Sequence, residues 1–229
     1  MPIIRATPEK WFLGDILAMN ALHHLSDGYV PWTFWSMRPA AVASVVNDVI
    51  LRNRQTVVEI GAGSSTLLLA KAVQLTGGRL FSIEHDADFA DSLRRLLKLR
   101  GLDSIAKVVQ VPLATLPEGF GLAAGDCQAP TTWYDLDQLD AAAPTGIDLL
   151  VVDGPPAGAQ GDVLIREPAV RALRDKFAPS YSVYLDDLER PPERETLRLW
   201  EEQLGIPFTI IERIGLGVGS TDEGFAPTL

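Results

Sequence analysis

Two groups of residues in this sequence have types and spacing that can do chemistry: a glycine-hydroxyl stretch with acids on either side, and three aspartates further along. Residues 57–70 read VVEIGAGSSTLLLA, an apolar run that ends in Glu59, passes through Gly61, Ala62 and Gly63, and enters Ser64, Ser65 and Thr66. Glycines there permit a tight turn and let the backbone approach a ligand with no Cβ in the way. The hydroxyl residues can cap a helix whose free N–H groups face the same crevice. The run FSIEHD then ends in Glu84, about twenty residues beyond the loop, where doubly wound nucleotide-binding domains set an acid on ribose hydroxyls. Each feature alone has a plainer explanation, a simple strand-to-helix turn or a cap on the next helix. The two at this spacing read as a nucleoside site.

The aspartates close two other apolar runs: Asp153 in VVDGPP, and Asp186 with Asp187 in YLDD. Ligands of open α/β sheets bind at the carboxyl ends of the strands, so neighbouring strands would bring these carboxylates together. Like charges so close need a cation, a proton or a basic partner. Mg²⁺ or another hard divalent ion suits two or three carboxylates, and Arg166 or Arg190 can balance them instead. Both arrangements stay open. Asp153 is the expected proton acceptor, with Asp186 beside it as the second catalytic carboxylate.

The elements that position these groups alternate. Short β-branched runs occupy 56–60, 79–84, 106–111, 147–153 and 181–186, with helical patterns at about 65–76, 87–100, 161–176 and 192–204. Strands this apolar, separated by helices, imply a parallel sheet covered on both faces. PFTIIERIG and LGVGST, joined through Gly215, read as an antiparallel hairpin on its edge. The expected fold is α/β, Rossmann-like and doubly wound, with a mostly parallel seven-stranded sheet spanning residues 55–229. Residues 1–54 form a helical extension, with one helix starting at Thr7-Pro8 and carrying Trp11, Ile16, Met19 and Leu22, and a second after Pro39 carrying Val42, Val45, Val46, Val49 and Ile50. These helices can either cover their own sheet or make a homodimer interface. The long segment 112–146, with Trp133 and Tyr134, reads either as a plain surface insertion or as an ordered excursion with one short helix that covers an acceptor. Trp32 and Trp35 read more readily as core than as an acceptor wall, and His23 and His24 as structural.

Composition narrows the partners. A chain of 229 residues with 47% apolar and 22% charged residues is ordinary globular protein. Its formal charge of −10 argues against nucleic acid and against an anionic membrane surface, because both call for clustered Lys and Arg. Cys127 is the single cysteine, so no intramolecular disulfide forms. No secretory pattern opens the chain, and no apolar run reaches the roughly 20 residues of a membrane helix. Cytoplasm is the expected location.

The choice of cofactor turns on two residues. Dinucleotide domains prefer a third glycine where this chain has Thr66. An acid such as Glu59 is unhelpful beside a pyrophosphate but suits an ammonium group. An acid before G-x-G, followed by an acid ending the second strand, resembles the class I S-adenosylmethionine-dependent methyltransferases. The resemblance extends over residues 30–204, through PWTFWSMRPAAV, VVEIGAGSST, FSIEHD, a WYD segment, DLLVVDGPP and LDDLERPPERE. These pieces are similar to O-methyltransferases of the caffeoyl-CoA type and of the macrocin type, the latter acting on sugar hydroxyls. The resemblance implies that Glu59, Gly61, Ala62, Gly63 and Ser65 line the methionine tail, and that Glu84 holds the ribose with His85 and Asp86 near the adenine. It implies too that Ser36 touches the cofactor carboxylate, that Asp153 lies beside the cofactor, and that the acceptor is a small-molecule or sugar hydroxyl. The chain departs from the metal-dependent members: Pro155 stands where the macrocin type has a further Asp, and Asp186-Asp187 where the caffeoyl-CoA type has Asp-Asn. Two rival readings of the same fold are a non-catalytic nucleoside-binding assembly module and an NAD-dependent oxidoreductase.

Overall fold

The computed structural model describes residues 12–26, 28–156 and 162–222. The expected helix start at Thr7-Pro8, with Trp11, lies outside them. Helices α1 (Phe12–His23) and α2 (Pro39–Leu51) lead into β1 (Thr56–Ile60), α3 (Ser64–Thr76), β2 (Arg79–Glu84), α4 (Ala87–Leu99) and β3 (Ala106–Gln110). The excursion follows as β4 (Leu113–Thr115), β5 (Thr132–Tyr134) and α5 (Leu136–Ala142). The chain re-enters the sheet with β6 (Ile147–Val152), then α6 (Pro168–Leu173), β7 (Phe177–Leu185), α7 (Pro191–Leu204), β8 (Phe208–Ile211) and β9 (Leu216–Ser220).

The main sheet has seven strands in the order β3-β2-β1-β6-β7-β9-β8. Pairing is parallel from β3 to β7, while β9 runs antiparallel to both β7 and β8. The chain winds outward in one direction from β1 and returns to start the other at β6. A crevice therefore opens where the carboxyl ends of β1 and β6 diverge.

Alternation along the strands fills both faces. Val57, Leu80, Leu149 and Val151 pack with α2, α3 and α4 on one side. Val58, Ile60, Ile83, Leu150 and Val152 pack with Trp133, Val170 and Trp200 on the other. Each fully buried Val or Leu is worth roughly 1.5–3 kcal/mol, so the strand ends rest on a stiff base. Val42, Val45, Val46 and Val49 of α2 belong to the first of these cores, while Ile50 is partly exposed. In α1, Leu22 is buried, and Ile16 and Met19 face outward.

One helix differs from expectation. Over the described part of 161–176, helix is confined to α6 and a 3₁₀ turn at Arg174–Lys176. Pro168 opens α6 at its first turn, as a residue without an N–H does readily. Before it, the chain is tied elsewhere, with Gln128 N–H donating to Asp162 O and Leu164 N–H to Gln128 O. Arg166 is thereby turned under the sheet ends. No helix among the described residues is long and apolar enough to cross a membrane.

Candidate active site

A cavity of about 570 Å³ occupies the crevice, within the range of small-molecule and cofactor sites. Its floor is the glycine loop. Gly61 has φ +92°, a conformation open to glycine at little cost, and a Cβ there would come within 2.8 Å of Gly154 Cα. The ends of β1 and β6 thus touch backbone to backbone. Gly61, Ala62, Gly63 and Ser65 all line the cavity, as do Ser36, Glu84, His85, Asp86 and Asp153.

Glu59 does not. It points away from the cavity, is fully buried, and accepts three hydroxyl hydrogen bonds, from Ser65 at 2.5 Å and from Thr66 and Ser82 at 2.6 Å. Burial pushes its carboxyl up, and the three hydroxyls oppose that shift. Thr66 Oγ1 also accepts the Gly63 N–H at 2.9 Å. Glu59, expected to serve the ammonium of the methionine tail, here ties the loop to β2 from behind. Thr66 sits where dinucleotide domains prefer a third glycine because its hydroxyl is a link in this chain.

At the end of β2, Glu84 Oε1 accepts the Asp86 N–H at 2.8 Å and lies 2.8 Å from His85 Nδ1. Its other oxygen is not engaged by any described residue. Asp86 caps α4 by accepting from Phe89 N–H at 2.8 Å. Opposite, Ser36 Oγ accepts the Thr33 N–H at 3.0 Å and lies 3.3 Å from Ser64 Oγ. This places two hydroxyls at the start of α3. Trp35, expected in the core, is 81% exposed and forms part of the cavity rim. Trp32 is half-buried against the core. His23 and His24 lie away from this cavity.

The three aspartates do converge: one carboxylate oxygen from each of Asp153, Asp186 and Asp187 lies within 4.8 Å of the others. Arg166 holds them together. Its Nη2 donates to Asp187 Oδ2 at 2.8 Å, to Asp153 Oδ1 at 3.1 Å and to the Asp153 carbonyl at 2.9 Å, while Nη1 reaches the Asp186 carbonyl at 3.0 Å. Arg190 adds a 2.8 Å contact to Asp187. Arg166 is only 2% exposed. Burial disfavours its charge, but Glu193 and the three aspartates outweigh that and hold it protonated.

The aspartates are not equivalent. Asp153 faces the cavity, and burial, only partly offset by Arg166, pushes its carboxyl up to about 7. Asp186 does not line the cavity, and burial with Asp153 and Asp187 nearby pushes it well above the usual carboxylate range. Asp186, expected beside Asp153 as a second catalytic carboxylate, stands off the cavity, and its backbone carbonyl accepts from Arg166 at the turn after β7. Sequence reasoning proposed Arg166 as one of two balancing cations but did not foresee its burial. It also missed Ser82, which the alternation of β2 places on the Glu59 side.

The excursion meets the site at a single residue. Tyr134 lies on the cavity wall, whereas Trp133 is fully buried in the core beneath.

The fold, its glycine loop and the acids at the strand ends define a class I S-adenosylmethionine-dependent methyltransferase. A methyltransferase-domain family matches residues 58–188, and the chain belongs to that family. No curated protein sequence matches it. Among solved structures it is similar to an S-adenosylhomocysteine-bound methyltransferase from Podospora anserina (12% identity, TM-score 0.56, covering 92% of this chain and 88% of that one). It is also similar to a Streptomyces achromogenes O-methyltransferase of tomaymycin synthesis, in complex with S-adenosylmethionine (16% identity, TM-score 0.52, 92% and 90%). A third is an O-methyltransferase from Bacillus cereus in complex with S-adenosylhomocysteine (17% identity, TM-score 0.50, 96% and 94%). At these identities the likeness is one of fold.

Proposed function

We propose that this protein methylates a hydroxyl oxygen of a small molecule or sugar, with Asp153 as the proton acceptor. The observation that carries the reading is the placement of Asp153, on the cavity wall with a carboxyl poised near neutrality. A base with its pKa near the working pH serves proton transfer best.

The residues fit the cofactor. Glu84 offers an acceptor oxygen to a ribose diol, Ser36 offers its hydroxyl to a carboxylate, Ser64 donates its own to the Pro31 carbonyl beside it, and the loop from Gly61 to Ser65 gives close backbone approach. S-adenosylmethionine, when bound, supplies an electrophilic methyl on a cationic sulfur. The protein's part is to hold an acceptor hydroxyl in line with that methyl, which lowers the barrier by orientation, and to remove the hydroxyl proton at Asp153. Arg166 contributes by keeping Asp153 oriented through its backbone and carboxylate together.

A divalent cation fits the aspartate cluster poorly. The oxygens it would need on Asp153 and Asp187 already accept from the Arg166 guanidinium, and Asp186 is held toward its neutral form. A metal there would face a buried positive charge. The reading is therefore transfer with Arg166 as the resident cation. The test is incubation of the protein with a metabolite extract and methyl-labelled S-adenosylmethionine, followed by mass spectrometry. Label on a hydroxyl oxygen, lost in Asp153→Asn, is expected; label on nitrogen or carbon would overturn the acceptor class.

A further inference from the structure

Tyr134 belongs to the WYD segment and is the one residue of the excursion on the cavity wall. Its side chain is fully buried, its Oη has no hydrogen-bond partner among the described residues, and it lines the cofactor cavity. Buried hydroxyls without partners are rare and costly. This one is also firmly placed. Tyr134 pairs with Leu113 in the β4–β5 ladder, and its ring meets Trp133 edge-on at 5.2 Å. The His85 ring also stands edge-on to it, at 6.3 Å. Asp135, the next residue, caps α5 through Gln138 N–H at 2.9 Å.

The hydroxyl is held at a telling position. A Cβ on Gly154 would lie 3.1 Å from Tyr134 Oη, and Gly154 itself packs on Gly61. The oxygen thus sits at the seam where β1 and β6 meet, with Glu84, the opposing Arg166 guanidinium and Asp153 all close enough to act on it electrostatically. Glu84 marks the ribose in the proposed reading, and Asp153 marks the acceptor oxygen. Between a ribose and an acceptor lies the sulfur that carries the methyl.

Resting on that cofactor reading, we propose that Tyr134 is a specificity-determining residue whose hydroxyl oxygen faces the positive sulfonium of the methyl donor. A neutral oxygen aimed at a cation in a water-poor cavity favours the charged donor over the uncharged product. The phenol stays protonated there, because burial and nearby Glu84 raise its pKa well above the usual value. The group would then help the site to retain S-adenosylmethionine and release S-adenosylhomocysteine.

The test is calorimetric titration of wild type and Tyr134→Phe with both ligands. Phenylalanine keeps the ring and its packing and removes only an unpartnered hydroxyl, so the variant should melt at or above the wild-type temperature. Its affinity for S-adenosylmethionine should fall about fivefold, while affinity for S-adenosylhomocysteine should change less than about twofold. A parallel loss for both ligands, or no loss for either, would overturn the proposal and leave the cofactor reading standing. Wild type that binds neither ligand would overturn both.

Discussion

Arg166 Nη2 lies 3.1 Å from Asp153 Oδ1 and 2.9 Å from the Asp153 carbonyl oxygen, so one guanidinium edge fixes both the backbone and the carboxylate at the end of β6. A buried cation so placed sets the electrostatics of the cavity wall. It keeps the Asp153 carboxyl from rising as far as burial alone would drive it. Glu193, itself buried with its carboxyl pushed up by burial, stands 3.9 Å from Arg166 Nε.

Chelation should leave turnover unchanged. With Arg166 as the resident cation, methyl transfer measured in excess EDTA should equal transfer in added Mg²⁺. Abolition by EDTA with recovery on Mg²⁺ would show that a metal enters the aspartate cluster.

Arg166→Met should destabilise the fold by about 3–5 kcal/mol, because it strands buried carboxylates without their partner. Asp186→Asn should behave oppositely. Arg166 bonds the Asp186 backbone carbonyl and not its carboxylate, so the substitution leaves that contact in place. The Asp186 carboxyl is raised on folding, so its contribution to stability is complete below its unfolded pKa and is lost as pH rises through the folded value. Asparagine never ionises. Thermal melts across pH should therefore show Asp186→Asn gaining on wild type as pH rises; a constant or shrinking difference would contradict the burial argument.

The pH dependence of turnover should report Asp153. With its carboxyl pushed up to about 7, the base form is depleted below neutrality, and kcat should climb with pH through an inflection near that value. Asp153→Asn should remove the inflection and lower kcat by about 10²–10⁴-fold. A flat profile in wild type would take Asp153 out of the proton transfer.

Glu59→Gln separates the two roles given to that residue. As a tie accepting from Ser65, Thr66 and Ser82, it should cost about 1–3 kcal/mol of stability when one acceptor oxygen becomes a donor. Affinity for S-adenosylhomocysteine and for methylthioadenosine, which lacks the amino-acid tail, should then fall in the same proportion. A loss confined to the ligand with the tail would restore Glu59 to the ammonium.

What the sequence made legible was local to strand ends. The glycine loop, Glu84 and Asp153 each announce themselves within a few residues, and the strand-helix alternation orders them on one edge of the sheet. The partners of Glu59 were not legible, because Ser82 comes from another strand and depends on register between β1 and β2. Arg166 was legible only as a possible cation, since a helical pattern over 161–176 hid the tie to Gln128 that turns it inward. The tryptophans illustrate the same limit. Trp35 and Trp133 have equal hydrophobicity, and only tertiary packing decides that the first is on the rim and the second in the core.

The central claim is that the crevice at the ends of β1, β2 and β6 binds S-adenosylmethionine and not a dinucleotide. Calorimetric titration of wild type with S-adenosylhomocysteine and with NAD tests it most directly. The account predicts a micromolar dissociation constant for S-adenosylhomocysteine and no measurable heat with NAD. Binding of NAD with no binding of S-adenosylhomocysteine would contradict it.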